Sequence, residues 1–141
     1  NTWCCKSLMA SKMDLAKQKL KDLIKEARKL TLCVVGWSKR GLTASSMGVS
    51  ACFYHPPGGQ VHHALLNLHL MEHPQTGEAI THSIDQTLEA WGIGEEKVLL
   101  VVTDNGANII KAIWLLQNRK RAEDKNFSQD GQAAAESQEE M

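Results

Sequence analysis

The sequence has few of the features that mark a specialised class of protein. Its apolar runs, such as Val98 to Thr103, fall far short of the roughly 20 residues that a bilayer span requires. The cysteines include no C-x-x-C pair, and adjacent Cys4 and Cys5 cannot supply the spacing of a zinc finger. The first residues, NTWCCKSLMASK, lack the apolar core of a secretory signal. We therefore expect a reduced intracellular protein with no membrane partner. Because it starts at Asn1, we also expect a fragment or a processed product.

A net charge of one sign is missing too, since 16 Lys and Arg residues balance 16 Asp and Glu residues. A strongly basic domain would be the simplest indication of a nucleic-acid-binding protein. The balance is nevertheless local cancellation. Residues 1–40 carry +7, residues 41–118 carry −5, residues 119–121 carry +3 and residues 122–141 carry −5. Zero net charge is therefore compatible with a basic patch.

The length and composition that remain are those of one globular domain. The chain has 141 residues, of which 43% are hydrophobic and 23% charged. The spacing of apolar residues predicts helices at 12–30, 76–91 and 105–118 and strands at 31–37, 45–54, 61–71 and 98–103. Residues 1–11 are predicted to be a disordered segment, and residues 119–141 are predicted to be a basic cluster followed by a disordered acidic tail.

Local features support several of these elements. Ser11 is predicted to cap the first helix, and Gly92 is predicted to end the second. The first strand is apolar on both faces, which suggests a central position. The run from Val98 to Thr103 is also fully apolar, which predicts a buried parallel strand covered by helices on both sides.

The order of elements predicts an α/β protein with a partial ribonuclease H-like fold. Its sheet is a three-strand antiparallel meander plus a parallel strand, flanked by helices. In that architecture, acidic side chains at strand ends hold two divalent metals that act on a phosphodiester. Asp104 directly follows the apolar strand and is placed as such a ligand would be. The alternative is that Asp104 caps the next helix.

Three stretches carry a resemblance to a known family: TLCVVGWSKRGLTASSMGVSACFY, ALLNLHLMEHPQTGEAI and LEAWGIGEEKVLLVVTDNGANIIKAI. Through their order and spacing, the region from Lys12 to Leu116 resembles the catalytic core of hAT-superfamily transposases and of the BED-type zinc-finger proteins derived from them. The specific parts are Gly36-Trp37-Ser38, His73-Pro74 to Thr76-Gly77-Glu78, Trp91-Gly92-Ile93, and Asp104-Asn105-Gly106 to Asn108.

The resemblance implies DNA cutting by two aspartates and a glutamate that bind metal. Val35 stands at the position of the first aspartate, two residues before Trp37, and Asp104 matches the second. The glutamate would lie beyond the last residue of the chain. Valine cannot coordinate Mg²⁺, and a single carboxylate does not hold two metals. We therefore expect no enzymatic activity, no cofactor, at most a vestigial metal site at Asp104, and no small-molecule substrate. The resemblance also implies a nuclear protein.

The basic residues have two interpretations, a solvated surface or a patch that faces phosphates. The candidates for DNA contact are Lys17, Lys21, Lys25, Arg28, Lys29, Arg119, Lys120 and Arg121. A second group could suggest zinc, and it consists of Cys52, His55, His62, His63, His69 and His73. Adjacent strand residues such as His62 and His63 point to opposite faces, however, so no zinc site is expected. Trp37 and Trp91 are predicted to be core residues.

Three hypotheses of function follow. The first is an inactive, transposase-derived fragment that serves as a DNA-associated or protein-interaction module. The second is part of a longer transposase that performs metal-dependent strand transfer. The third is a nucleic-acid-binding module that uses helix 12–30. In each case the unpaired edge of strand 98–103 is expected to promote self-association or binding of another chain.

Overall fold

The computed structural model describes residues 2–38, 44–72 and 76–136, with side chains over 4–37, 45–71 and 76–122. The elements, in chain order, are helix α1 (Thr2–Glu26), strands β1 (Leu30–Ser38), β2 (Ala44–His55) and β3 (Gln60–Glu72), helix α2 (Gly77–Trp91), a short 3-10 turn (Glu95–Lys97), strand β4 (Val98–Thr103) and helix α3 (Ala107–Glu136). Among the described residues, no helix has the length and apolar character needed to cross a bilayer.

The predicted fold class is confirmed. The sheet has the order β3-β2-β1-β4, with β1 antiparallel to β2, β2 antiparallel to β3, and β1 parallel to β4. Strand β1 thus has a neighbour on each side, as its apolar sequence predicts. One buried cluster joins the sheet to the helices. Its members from the strands include Leu32, Val34, Met47, Val49, Ala51 and Phe53, those from the helices include Ile24, Ile80, Ile84, Ile109 and Ala112, and Ala27 joins them from just after α1.

The bounds of the first helix correct the prediction. Helix α1 begins at Thr2 rather than at residue 12, so residues 2–11 were wrongly predicted to be disordered, and Ser11 lies inside the helix instead of capping it. Leu8, Met9 and Ala10 favour helix and so extend it backwards. The helix ends at Glu26 rather than at residue 30, and the Lys97 ammonium donates to the carbonyl oxygens of Ile24 (2.7 Å) and Lys25 (3.0 Å). Those bonds satisfy carbonyls that the end of a helix leaves free.

The last helix also exceeds its prediction. Helix α3 starts at Ala107 and continues to Glu136, whereas the sequence pattern places its end at residue 118 and disorder beyond it. The residues after 118 are polar but rich in Arg, Lys, Gln, Glu and Ala, and these residues have high helix propensity even where they have no core to cover. Residues 137–141 of the predicted tail lie outside the described residues.

The helices all cover the same face of the sheet. Inward-pointing side chains of β1 and β2 are buried against them, whereas the side chains that alternate with these point away. We call this second surface the outer face. It exposes large apolar residues from all four strands, namely Val35, Trp37, Tyr54, Val61, Leu65, Leu68, Leu70, Leu100 and Val102.

Strand β4 therefore differs from its prediction. It forms one edge of the sheet, and helices lie on only one side of it. Val98 and Val101 pack against the core, whereas Leu100 and Val102 are exposed. Trp37 was likewise wrongly predicted to be buried, since it points from β1 to the outer face and is 50% exposed. Trp91 is confirmed as a core contact, and its indole N–H donates to the Leu66 carbonyl (2.9 Å).

A bulge in β3 sets which of its residues face inwards. The register with β2 shifts between Val49 and Ser50, so that one extra residue, Leu66, is accommodated between Leu65 and Asn67. Leu66 is buried, and Asn67 also points inwards, where its amide donates to the hydroxyl of Thr87 in α2 (3.3 Å) and contacts the ring of His69 (2.7 Å). The bulge thus supplies both an apolar and a polar anchor to α2.

Helix α2 is bounded by the signals that its sequence contains. The Thr76 hydroxyl accepts a hydrogen bond from the Ala79 N–H (3.2 Å), as an N-terminal cap does. Gly92 adopts the left-handed conformation at φ 66°, and this confirms its predicted place at the end of the helix. Between these caps, Ile80, Ile84 and Leu88 are buried on the face towards the sheet.

The core predicts a contrast between two isoleucines. Ile84 is 1% exposed and Ile110 is 52% exposed. Replacing Ile84 with Ala should lower the free energy of unfolding by about 2–5 kcal/mol because it leaves a cavity. The matched change Ile110→Ala should cost less than about 1 kcal/mol. Urea denaturation followed by circular dichroism measures both, and equal costs would contradict the one-sided core.

Candidate functional site

The ends of β1 and β4 bring the two predicted triad positions together. The last registered pair of these parallel strands is Val34 with Thr103, and Val35 and Asp104 are the residues that follow on each strand. The carboxyl ends of neighbouring parallel strands share one edge of a sheet, which is where such folds place ligands. The two positions that the resemblance assigns to the triad thus lie next to each other in the fold.

A shallow cavity of about 180 Å³ lies at this edge, where α3 begins. It is lined by Gly36, Trp37, Asp104, Gly106, Ala107, Asn108 and Ile109. A side chain at position 36 would meet α3, since a Cβ there would lie 3.2 Å from Ile109 Cδ1. Glycine at the end of β1 thus permits the first turn of α3 to pack directly on the strand.

Asp104 is exposed, and its carboxylate has one local partner. Its Oδ1 accepts a hydrogen bond from the backbone N–H of Gly106 (3.2 Å). Helix α3 itself begins at Ala107, and the N–H groups of Ile109 and Ile110 bond to the Gly106 carbonyl. Asp104 therefore closes the turn before the helix and does not bond to the free amides of its first turn. The alternative prediction, that the Asp104 side chain caps α3, is therefore wrong in that the carboxylate bonds to a residue that precedes the helix.

These residues do not fit the pair of magnesium ions that the fold family implies. Asp104 is the only carboxylate that lines the cavity, and an N–H donor already occupies part of its hydrogen-bonding capacity. Val35 offers no oxygen, and its side chain belongs to the outer face, 48% exposed. Within the described part of the chain, no group of three His, Cys, Asp or Glu residues could hold a metal ion. Two Mg²⁺ ions need several oxygen ligands to offset their charge and hydration.

The predicted zinc group is dispersed over the sheet. His62 stacks on Phe53 on the inner side, with ring centroids 5.5 Å apart, whereas the ring of His63 meets the Ser50 hydroxyl (3.1 Å) on the outer side. His55 contacts Glu26, the last residue of α1. His73 lies outside the described residues.

Part of the predicted DNA-binding set is engaged with protein. Lys29 donates to the backbone carbonyl of Glu96, and Lys120 donates to that of Glu95 (3.2 Å). The Arg119 guanidinium donates to both carboxylate oxygens of Asp85 (2.9 Å each) and also to Glu95. Basic side chains from two segments far apart in the sequence therefore meet at the 3-10 turn. The carbonyl and carboxylate oxygens of this turn accept their hydrogen bonds.

The Arg119 cluster ties α3 to α2 and to the 3-10 turn. The paired hydrogen bonds that Arg119 donates to Asp85 raise the pKa of its guanidinium above its ordinary range, so this side chain stays charged. Two N–H groups held by one carboxylate are poorly placed for a phosphate. The sequence pattern missed this role because Asp85 and Glu95 lie 34 and 24 residues before Arg119.

The other basic candidates stay accessible. Lys17, Lys21 and Lys25 follow one another at four-residue steps along α1, and so they form one row on the helix surface. Their ammonium groups form no ion pair with the described residues. Lys17 and Lys25 are exposed, as are Arg28, just after the helix, and Arg121, in α3, whereas Lys21 is half-buried.

The sheet order, the helices on its inner face and the carboxylate at the end of its parallel strand define a ribonuclease-like domain. The family model of the ZBED1 RNase-like domain matches residues 51–133, more than half of the chain, and the chain belongs to this family. The match confirms the resemblance to transposase-derived proteins of the hAT and BED type. A search of curated proteins finds no match.

A second ion pair near the site generates a prediction about pH. At the start of α2, Glu78 accepts from the Lys111 ammonium (2.8 Å), and the Lys111 hydrogen bond followed by a backbone hydrogen bond holds the pKa of Glu78 below its ordinary value of 4.5. A lowered pKa in the folded state stabilises the protein above the unfolded pKa, and this contribution is lost as the pH falls through the folded pKa.

Lys111→Met should therefore raise the pKa of Glu78 towards its ordinary value, because the largest cause of the shift is removed. Carbon-detected NMR titration of the Glu78 carboxyl measures the change, and Lys111→Arg is the control that retains the charge. An unchanged pKa in the methionine variant would contradict the ion pair.

Proposed function

We propose that this chain is a catalytically inactive, transposase-derived RNase-like module that works by association with DNA or with other protein chains. The observation that carries the proposal is the site at the ends of β1 and β4, which has a single carboxylate, Asp104, beside Val35. Phosphodiester cleavage by two metals requires ligands for both ions, and the Val35 side chain beside Asp104 supplies none. The proposed setting is nuclear, as the family resemblance implies.

The hypothesis of an active, longer transposase is the weaker alternative. A glutamate contributed by a further segment would raise the number of carboxylates, but Val35 would still deprive the site of its first ligand. The substitution Val35→Asp alone would not create the site either, since one more carboxylate leaves the third ligand missing.

Catalysis can be tested directly with purified protein. We expect no cleavage or strand transfer of a DNA bearing terminal inverted repeats in Mg²⁺ or Mn²⁺, and the same result for Asp104→Ala and Val35→Asp. The two variants separate a background nuclease from chemistry at this site. Metal-dependent cleavage that Asp104→Ala abolishes would refute the proposed inactivity.

The lysine row of α1 favours a DNA-associated role. Lys17, Lys21 and Lys25 point to one side of the helix and lack partners among the described residues, whereas Lys29, Arg119 and Lys120 are engaged at the 3-10 turn. A row of free ammonium groups can follow a phosphate backbone, and it binds without regard to base sequence. The proposed DNA contact is therefore narrower than the basic set taken from the sequence.

Salt dependence tests this role. The double variant Lys21→Gln/Lys25→Gln should weaken binding to duplex DNA and reduce the slope of log affinity against log salt by about 2, since each lost phosphate contact removes about 0.9. The control Lys12→Gln/Lys19→Gln removes the same charge from another side of α1. Fluorescence anisotropy measures both. Equal effects of the two variants, or an affinity that does not change with salt, would reject the lysine row as a DNA site.

The β4 edge supports association with protein. Beside it lies an apolar cavity of about 240 Å³ between the strand and helices α2 and α3, whose lining includes Leu32, Ile84, Leu88 and Ile113. Strand β4 has no neighbour on its far side among the described residues. An extended segment could add to this edge through backbone hydrogen bonds and place an apolar side chain in the cavity.

A further inference from the structure

The outer face is the largest uncovered apolar surface of the described structure. Its exposed side chains come from every strand, from Leu100 and Val102 on β4 to Leu65, Leu68 and Leu70 on β3. Each leaves on the order of 100 Å² in contact with water, judged against the 150–250 Å² that a buried aromatic side chain covers. The nine together expose on the order of 900 Å², well above the roughly 300–600 Å² of the largest patch on an ordinary monomer.

The chemistry of the outer face restricts what can cover it. The outward positions on β1 and β2 are small or weakly polar where they are not apolar, as with Thr31, Cys33, Ser46, Ser50 and Cys52. No Lys, Arg, Asp or Glu occurs among the outward-facing strand side chains that the structure describes. His63 of β3 also lies on this face, where its ring contacts the Ser50 hydroxyl (3.1 Å), so a nucleic acid or a charged peptide would find no Lys, Arg, Asp or Glu partner among the described side chains here. The complementary surface must itself be apolar and uncharged.

The shape of the outer face restricts the occupant further. The Trp37 ring lies against the sheet, since a Cβ on Gly48 of the neighbouring strand would be 3.5 Å from its Cζ3. The largest side chain thus leans over Gly48 of β2. The apolar residues span four strands, about 14 Å from the first to the last at 4.8 Å per spacing, whereas one helix has a diameter of about 10 Å. A single helix would leave part of the face in water.

We propose that the outer face binds the outer face of a second copy of this chain, forming a dimer in which the two sheets pack face to face. The same surface on another copy has the required width, flatness and lack of charge. Its exposed area is close to the roughly 800 Å² that each partner contributes to a stable protein interface. Sheets pack in this way about 10 Å apart in β-sandwiches. The inference rests on the association role proposed above and gives that role a partner.

Two substitutions at one position of the outer face, which introduce opposite charges, test the dimer. Leu68 is 56% exposed near the middle of β3 on the outer face, so a charge there is compatible with the folded monomer. Leu68→Glu and Leu68→Lys should each raise the dimer dissociation constant at least about 100-fold, because each would bury unpaired like charges.

Sedimentation velocity over a range of concentrations measures these states, and circular dichroism checks that each variant is folded. The matched control is Leu15→Glu, which places the same charge on a leucine of α1 that is 58% exposed. It should leave the dimer unchanged.

The cysteines give a second readout that requires no variant. Cys33 and Cys52 lie on the outer face, whereas Cys4 and Cys5 are exposed on α1. Raising the protein concentration should slow maleimide labelling of Cys33 and Cys52 about tenfold or more, by mass action. Labelling of Cys4 and Cys5 should not change. Mass spectrometry of the peptides separates the two pairs.

Two results would overturn the inference. The wild-type chain could remain monomeric at all concentrations, or a dimer could form that neither Leu68 variant weakens. The last result would leave association intact and move it to another surface, such as the β4 edge, so it would contradict this interface but not the proposed function.

Discussion

The packing of every helix on one face of the sheet is the constraint on which the rest of this structure depends. Burial of Leu32, Val34 and Val49 against α1, α2 and α3 supplies one continuous core. Hydrophobic burial is the main favourable contribution to folding, and here it is concentrated in a single layer. The alternation of side chains along a strand then fixes the other surface, because each inward residue forces its neighbours outwards. Strands that are apolar on both sides consequently leave half of their apolar residues in water.

A small cluster at the 3-10 turn holds the layer of helices in place. Lys97 of this turn donates to carbonyls at the end of α1. Glu95 of the same turn accepts from the Arg119 guanidinium of α3, which also donates to Asp85 on α2. The turn thereby connects the end of the first helix, the middle of the second and the middle of the third. Charged side chains used in this way act as connectors of elements, and they are withdrawn from any role at the surface.

Much of the fold could be predicted from sequence, and the failures have identifiable physical causes. The period-two alternation of Met47, Val49, Ala51 and Phe53 predicts a strand with one buried side, and these four residues are buried. A glycine at position 92 predicts the end of α2, and Gly92 ends that helix in the left-handed conformation. The apolar run of β4 misled the prediction, because sequence records that a strand is apolar and not whether anything covers it. Helix bounds failed where propensity continued without a core, as in the first residues of α1.

The candidate site also has one part that the sequence could predict and another part that it could not. Motif spacing placed Val35 and Asp104 as neighbours, since the carboxyl ends of parallel strands converge. No local pattern could indicate that Arg119 is paired with Asp85, because that contact joins two helices whose relative position depends on the whole layer. Interactions within one element or at strand ends were accessible from sequence, whereas those between helices were not.

The bulge at Leu66 has a consequence for the molecular surface that exceeds its size. If β3 instead alternated regularly through Leu66, without a bulge, Leu68 and Leu70 would turn towards the helices and Asn67 and His69 would turn to solvent. The outer half of β3 would then present amide and imidazole groups, and the core would lose the anchor that Asn67 gives to Thr87. The accommodation of one residue as a bulge thus determines whether this side of the domain repels or attracts other apolar surfaces.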